Sequence, residues 1–249
     1  MKNYLLILFS LLFIFAVGSS QENSSSDFFE EQDTLFRYVP DPVLSLGISG
    51  GVVFINPENI NKNIEFQNSY FNTSEPIIRT PGLFSLWMTY RPVNLPTFLT
   101  LRGELLSSSR QFDFDAFATR DTSTVIGTLS TSTKTTYSVY PITISTGIVL
   151  RKTRMKAEIG FIYALASITQ STNVEGAGSS STTYTGDGYG FRFSLQQVTP
   201  IYRRTGLTFE IGYRFLLLDQ FRNERGIKTS SIEADYSGMF LLLGLSYGF

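Results

Sequence analysis

Seven charged residues carry most of the chemistry in this chain: Arg102, Glu104, Lys156, Glu158, Arg192, Glu210 and Arg214. They sit in stretches such as LTLRGELL, KAEIGFIY, YGFRFSL and LTFEIGYRF, with large apolar residues at every second position. A β-strand sends alternate side chains to opposite faces. All seven charges therefore share one face with Gly, Ser, Thr and Ala, and the large apolar residues take the other. Four cations against three carboxylates nearly cancel. Such a set can fix strand register and fill an interior as compensated ion pairs, or it can line a narrow selective pore. Burying an ion costs several kcal/mol unless pairing is good, so a packed, paired cluster is the plainer reading. Strands three and two, five and six, and six and seven are the neighbours expected to bring these residues within reach.

Catalysis is poorly served. The 249 residues include no histidine and no cysteine, which removes the commonest general base and two common metal ligands. There is no G-x-S-x-G, phosphate-binding or zinc-type spacing. Asp113 and Asp115, with Asp121 nearby, could meet a divalent cation through oxygen. Spaced acids in a Ser/Thr-rich stretch are also ordinary surface. No residue set calls for a cofactor, and the chain reads as non-enzymatic. A net charge of −1 offers no basic face for nucleic acid.

The elements that must position the seven charges are strands. Period-2 alternation predicts them over about 43–56, 83–91, 97–107, 135–150, 156–169, 189–198, 207–217 and 237–249. In the second, Phe84, Leu86, Met88 and Tyr90 are assigned to the outer face. Pro141 counts against a regular fourth strand at that point, since proline cannot donate to a sheet ladder. The last stretch, SGMFLLLGLSYGF, is the clearest. Met239, Leu241, Leu243, Leu245, Tyr247 and Phe249 share one parity, while Gly238, Phe240, Leu242, Gly244, Ser246 and Gly248, mostly small, share the other. Connections alternate between long (57–81, 108–134, 170–188, 219–236) and short (PVNLP, RKTRM, and the turn within TPIYRRTG). The long ones are read as polar loops, the first with Asn-rich turn chemistry.

This pattern predicts an all-β, antiparallel, up-and-down transmembrane β-barrel of about eight strands, with short periplasmic turns and long extracellular loops. Charged residues make up 16% of the chain, against about 25% in an average soluble domain. Aromatic residues make up 14%. Both suit an outer face that meets lipid. Residues 1–20, MKNYLLILFSLLFIFAVGSS, have the layout of a cleaved secretory signal peptide. Residues 21–42 form an acidic segment expected on the periplasmic side, and 43–249 the barrel. The expected location is the bacterial outer membrane.

On these residues the chain resembles the small eight-stranded bacterial outer-membrane barrels of the OmpA/OmpX-type group, over roughly residues 43–249. The resemblance implies that Leu243, Leu245, Tyr247 and Phe249 form the signal read by the barrel-assembly machinery. It also implies outer-membrane lipid as the surrounding partner. No peptidoglycan-binding domain is expected beyond Phe249. Members of the architecture that are enzymes rely on a histidine that this chain lacks. A structural or loop-mediated binding role is therefore expected, with a narrow pore, or an accessory to a secretion or assembly machine, as alternatives. An unidentified extracellular or periplasmic protein is a possible partner. The acidic run Asp27–Asp33 could dock on a basic rim formed by Arg91, Arg151, Lys152, Arg154, Arg203 and Arg204, or that rim could meet anionic headgroups instead.

Overall fold

The computed structural model describes residues 43–93, 95–119, 125–150, 155–228 and 234–249. The expected signal peptide, the acidic segment and its docking run, Asp121, Arg151, Lys152 and Arg154 lie outside the described residues. The strands are β1 (Leu44–Ile55), β2 (Gly82–Tyr90), β3 (Thr97–Thr119), β4 (Val125–Leu150), β5 (Met155–Val174), β6 (Gly178–Tyr202), β7 (Thr205–Asn223), the two-residue β8 (Ala234–Asp235) and β9 (Gly238–Gly248). One helix, α1 (Glu58–Phe71), joins β1 to β2.

Eight of these strands close a ring. Each of β1 to β7 pairs antiparallel with the next, β9 pairs with both β1 and β7, and β8 is a short addition to β7. A closed ring leaves no free edge along the part that crosses a membrane. The register puts β1's start, β9's end and every short turn at one end of the ring, as in Leu44↔Tyr90, Leu150↔Met155, Tyr202↔Thr205 and Ser45↔Gly248. Arg203, in the left-handed region at φ 49°, makes the tightest of these turns.

Outward faces match the expected parity. Phe84, Leu86, Met88 and Tyr90 are exposed on β2, and Phe191, Phe209 and Leu243 behave alike on β6, β7 and β9. Pro141 does not interrupt β4. The pairing with β3 runs from Gly103↔Ile142 to Leu106↔Val139 in one register, with no pair formed at Pro141 or Tyr140 between them. On its other side Pro141 pairs with Ala164. The proline costs local ladder bonds, and the flanking pairs keep the strand continuous in one register.

Three of the expected long loops are something else. Residues 108–119 and 125–134 continue β3 and β4 as a hairpin, from Ser108↔Tyr137 up to Thr119↔Val125. Residues 170–174 and 178–188 continue β5 and β6 to a tight turn, with Val174↔Gly178 as the last pair. Much of 57–81 is α1. The helix has no side-chain cap at Pro57 and ends on Asn72 in the left-handed conformation, with the Thr73 N–H returning to the Asn68 carbonyl. Its Asn residues act as latches. Asn61 is buried, donates to the Ile78 carbonyl at 3.0 Å and accepts from the Ile78 N–H at 2.7 Å. Seven residues on, Asn68 donates to the Glu75 carbonyl and accepts from the Glu75 N–H, both at 2.8 Å.

Candidate functional site

The interior of the ring has layers. Toward the short-turn end lies a polar layer of buried hydroxyls and amides, with Thr89 and Thr100 bonded at 2.8 Å. Trp87 crosses this layer because Gly47 faces it, where a Cβ would overlap the indole ring. Above it lies the ionic layer. Arg192 binds Glu104 through Nη1 and Glu210 through Nη2, the latter at 2.7 Å. Arg102 reaches Glu210 at 3.0 Å and donates to Ser85 Oγ at 3.0 Å. Arg214 lies 3.2 Å from Glu104, but none of its guanidinium nitrogens is aligned for a hydrogen bond. Phe240 completes the layer, its ring centre 4.1 Å from the Arg192 guanidinium.

These pairs connect opposite walls more than adjacent strands. Only Arg192–Glu210 joins neighbours, β6 and β7. Arg102–Glu210, Arg192–Glu104 and Arg214–Glu104 cross the lumen from β3 to β6 or β7. The expected reach between strands two and three is realised through Arg102 and Ser85 rather than through two charges. Glu158 is adjacent but bonds elsewhere, accepting from Ser145 Oγ at 2.5 Å. Lys156 shares the inner parity yet sits lower, its ammonium 5.8 Å from the centre of the Trp87 ring and 5.7 Å from that of Phe98. All seven residues lie on the inward parity of their strands. Five of them form the cluster, and strand register decides which five.

Above the ionic layer the interior is apolar. Val53, Ile55, Leu106, Phe112, Val139, Ile162, Leu216 and Leu242 are buried together. Ile60 and Ile64 of α1, with Ile78, close this layer from above. Phe71 at the helix end stacks on Phe114 of β3 at 3.8 Å. Sequence reasoning missed this lid. The isoleucines at positions 60 and 64, one helical turn apart, were the available signal.

Beyond the ring, β3 to β6 continue as a four-stranded sheet. The register lines up its outward residues in rows: Ser107–Ser138–Ser167–Thr185, Ser109–Thr136–Thr169–Thr183, Gln111–Lys134–Ser171–Ser181 and Asp113–Ser132–Asn173–Ser179. Neighbouring hydroxyls touch at Thr169–Thr183 (3.4 Å) and Ser171–Ser181 (3.3 Å). Hydrogen bonds from Ser132 and Gln111 hold the Asp113 carboxyl below its ordinary value. Asp113 and Asp115 belong to this exposed face, and among the described residues no group of three or more acids is placed to hold a metal.

The outer surface below those rows decides the address. Leu99, Leu101, Ile142, Ile144, Phe161, Phe191, Phe209, Leu243 and Leu245 are all exposed on the outside of a closed ring whose inside holds the charges. In water this arrangement would be inverted. Tyr90, Tyr247 and Phe249 edge the belt at the short-turn end and Phe84, Tyr140 and Tyr189 at the other, as lipid–water boundaries require. This chain is an outer-membrane β-barrel protein. The short turns then face the periplasm, and α1 and the extended sheet face outside. Leu243, Leu245, Tyr247 and Phe249 lie on the lipid-facing side of β9, with the Phe249 N–H on the Leu44 carbonyl at 2.8 Å.

No family model matches the sequence, and no curated protein matches it. Solved structures resemble it in fold. A major outer membrane protein from Thermus thermophilus is 10% identical, with a TM-score of 0.40 over 83% of this chain and 99% of that one. Ail, the attachment invasion locus protein of Yersinia pestis, is 12% identical, with a TM-score of 0.39 over 84% and 99%. The outer membrane protease OmpT from Escherichia coli is 9% identical, with a TM-score of 0.33 over 86% and 99%.

Proposed function

We propose that this barrel is a non-enzymatic, non-conducting outer-membrane protein whose extracellular sheet carries a binding role. The observation behind the reading is the filled lumen. Cross-lumen ion pairs with side chains at most 2% exposed lie beneath a continuous apolar layer, and α1 closes that layer from outside. An ion entering would have to cross that layer without hydrogen-bonding partners, at a cost of several kcal/mol or more. The absence of histidine removes the usual base for hydrolytic chemistry. What remains available to partners is the outward-extending sheet and the assembly strand β9, through which the barrel-assembly machinery would act. Planar-bilayer recording of the refolded chain tests the reading. Silent membranes with verified insertion support it, and reproducible unitary steps from the unmodified protein would replace it with a pore.

A further inference from the structure

We infer that the acidic run Asp27–Asp33, with Phe28 and Phe29, docks on the two periplasmic turns that flank the start of β1, so that the chain covers part of its own basic rim. Three observations carry the inference. The first is topology. The Val43 carbonyl accepts from the Arg91 N–H at 2.8 Å, and the Arg204 carbonyl accepts from the Gly248 N–H at 2.9 Å. Around the rim the order is therefore the β2–β3 turn, the start of β1, the end of β9 and the β6–β7 turn. With neighbouring strands about 4.8 Å apart, the chain enters about 5 Å from one turn and about 10 Å from the other. The remaining short turn, between β4 and β5, lies nearly half the ring away. Asp33 stands ten positions before Val43, and ten residues span at most about 35 Å. A run tethered this closely has an effective concentration in the millimolar range, so a weak contact is enough to hold it.

The second observation is charge. Residues 21–42 carry six acids, Glu22, Asp27, Glu30, Glu31, Asp33 and Asp41, against Arg37 alone. The two turns and their flanks, 88–100 and 198–208, carry Arg91, Arg203 and Arg204 and no acid. Opposite charges segregated onto two neighbouring segments steer one onto the other. The third observation is the apolar surface between those cations. Val93, Leu95, Ile201 and Tyr202 are 49–69% exposed and stand past the girdle residues Tyr90 and Tyr247, beyond the lipid-facing belt. Phe28 and Phe29 sit among the acids of the run as these four sit among the arginines. Arg203 leans over the Tyr202 ring, 5.0 Å from its centre, and holds a positive φ that glycine or asparagine would adopt with less strain. What arginine adds at that turn is a guanidinium at its tip.

Paired nitroxide labels test this on protein extracted from outer membranes and returned to vesicles. Gln32→Cys with Thr199→Cys puts one label in the run and one at an exposed position beside the β6–β7 turn. Pulsed dipolar spectroscopy should give one narrow distance distribution, in phosphatidylcholine vesicles and in phosphatidylcholine with phosphatidylglycerol alike. Adding Glu30→Arg with Glu31→Arg should replace the narrow peak by a broad one. Adding Arg203→Glu with Arg204→Glu to that chain should restore it, a rescue that a merely structural effect on the turn would not produce. Neutralising the far turn, with Arg151→Gln, Lys152→Gln and Arg154→Gln, should leave the peak narrow. A broad distribution for the doubly labelled chain in phosphatidylcholine would overturn the inference, as would a charge exchange that restores nothing. A peak lost only when phosphatidylglycerol is present would also overturn it and assign the rim to anionic headgroups. None of these outcomes bears on bilayer conductance, so the sealed-barrel reading stands or falls separately.

Discussion

Arg192 holds carboxylates from two walls of the barrel at once, Glu104 of β3 and Glu210 of β7. Its loss leaves two buried anions short of a partner. Arg192→Met should therefore lower the unfolding free energy in urea by about 3–5 kcal/mol. Arg214 differs, because it adds a third guanidinium to a site with two carboxylates and makes one ion pair without an aligned hydrogen bond. Arg214→Met should cost less than half as much, and equal losses for the two variants would contradict the geometry described here. At Gly47 the reason for glycine is the Trp87 ring pressed against its backbone. Gly47→Val should destabilise by about 1–3 kcal/mol through overpacking, readable as a lower melting temperature of the refolded barrel. At this scale the sequence was informative about faces and silent about heights. Lys156 and Arg192 share a parity, but only the pairing register places one beside Trp87 and the other between Glu104 and Glu210.

The elements were legible wherever one face is apolar and the other is not. β9 shows this best, since Leu241, Leu243 and Leu245 alternate with Leu242, Gly244 and Ser246, and only Phe240 and Leu242 on the inner parity obscure the contrast. Leu243→Arg, at a position 57% exposed to lipid, should cost about 2–4 kcal/mol in folding titrations from urea into vesicles. The upper hairpins were read as loops because Ser and Thr dominate them, although Phe112 and Phe114 of β3 alternate with Gln111, Asp113 and Asp115 and do mark an inner face. Alternation of Thr with Ser, as in LSTSTKTTYS, has no hydrophobic contrast to reveal a strand. α1 was hidden for a related reason. ENINKNIEFQNSYF is rich in Asn, a turn former, and its stability comes from tertiary contacts through Asn61, Asn68 and the two isoleucines. Asn61→Ala should cost about 1–3 kcal/mol, because it strands the buried Ile78 N–H and carbonyl. Increased protease cleavage between positions 72 and 81 would report it.

As a whole, the molecule is a ring of strands with a lipid-facing outside, a packed interior and a polar sheet beyond. The natural chain has no cysteine, so a single introduced cysteine is a clean reporter. Nitroxide labels at successive positions 241 to 245 of β9, in the barrel refolded into vesicles, separate the alternatives by collision with oxygen, which concentrates in lipid, and with a nickel chelate, which stays in water. Labels at 241, 243 and 245 should collide strongly with oxygen and weakly with nickel, and those at 242 and 244 weakly with both. Strong nickel collisions at 242 and 244 would mean a water-filled lumen, and strong oxygen collisions there would mean that the faces are reversed.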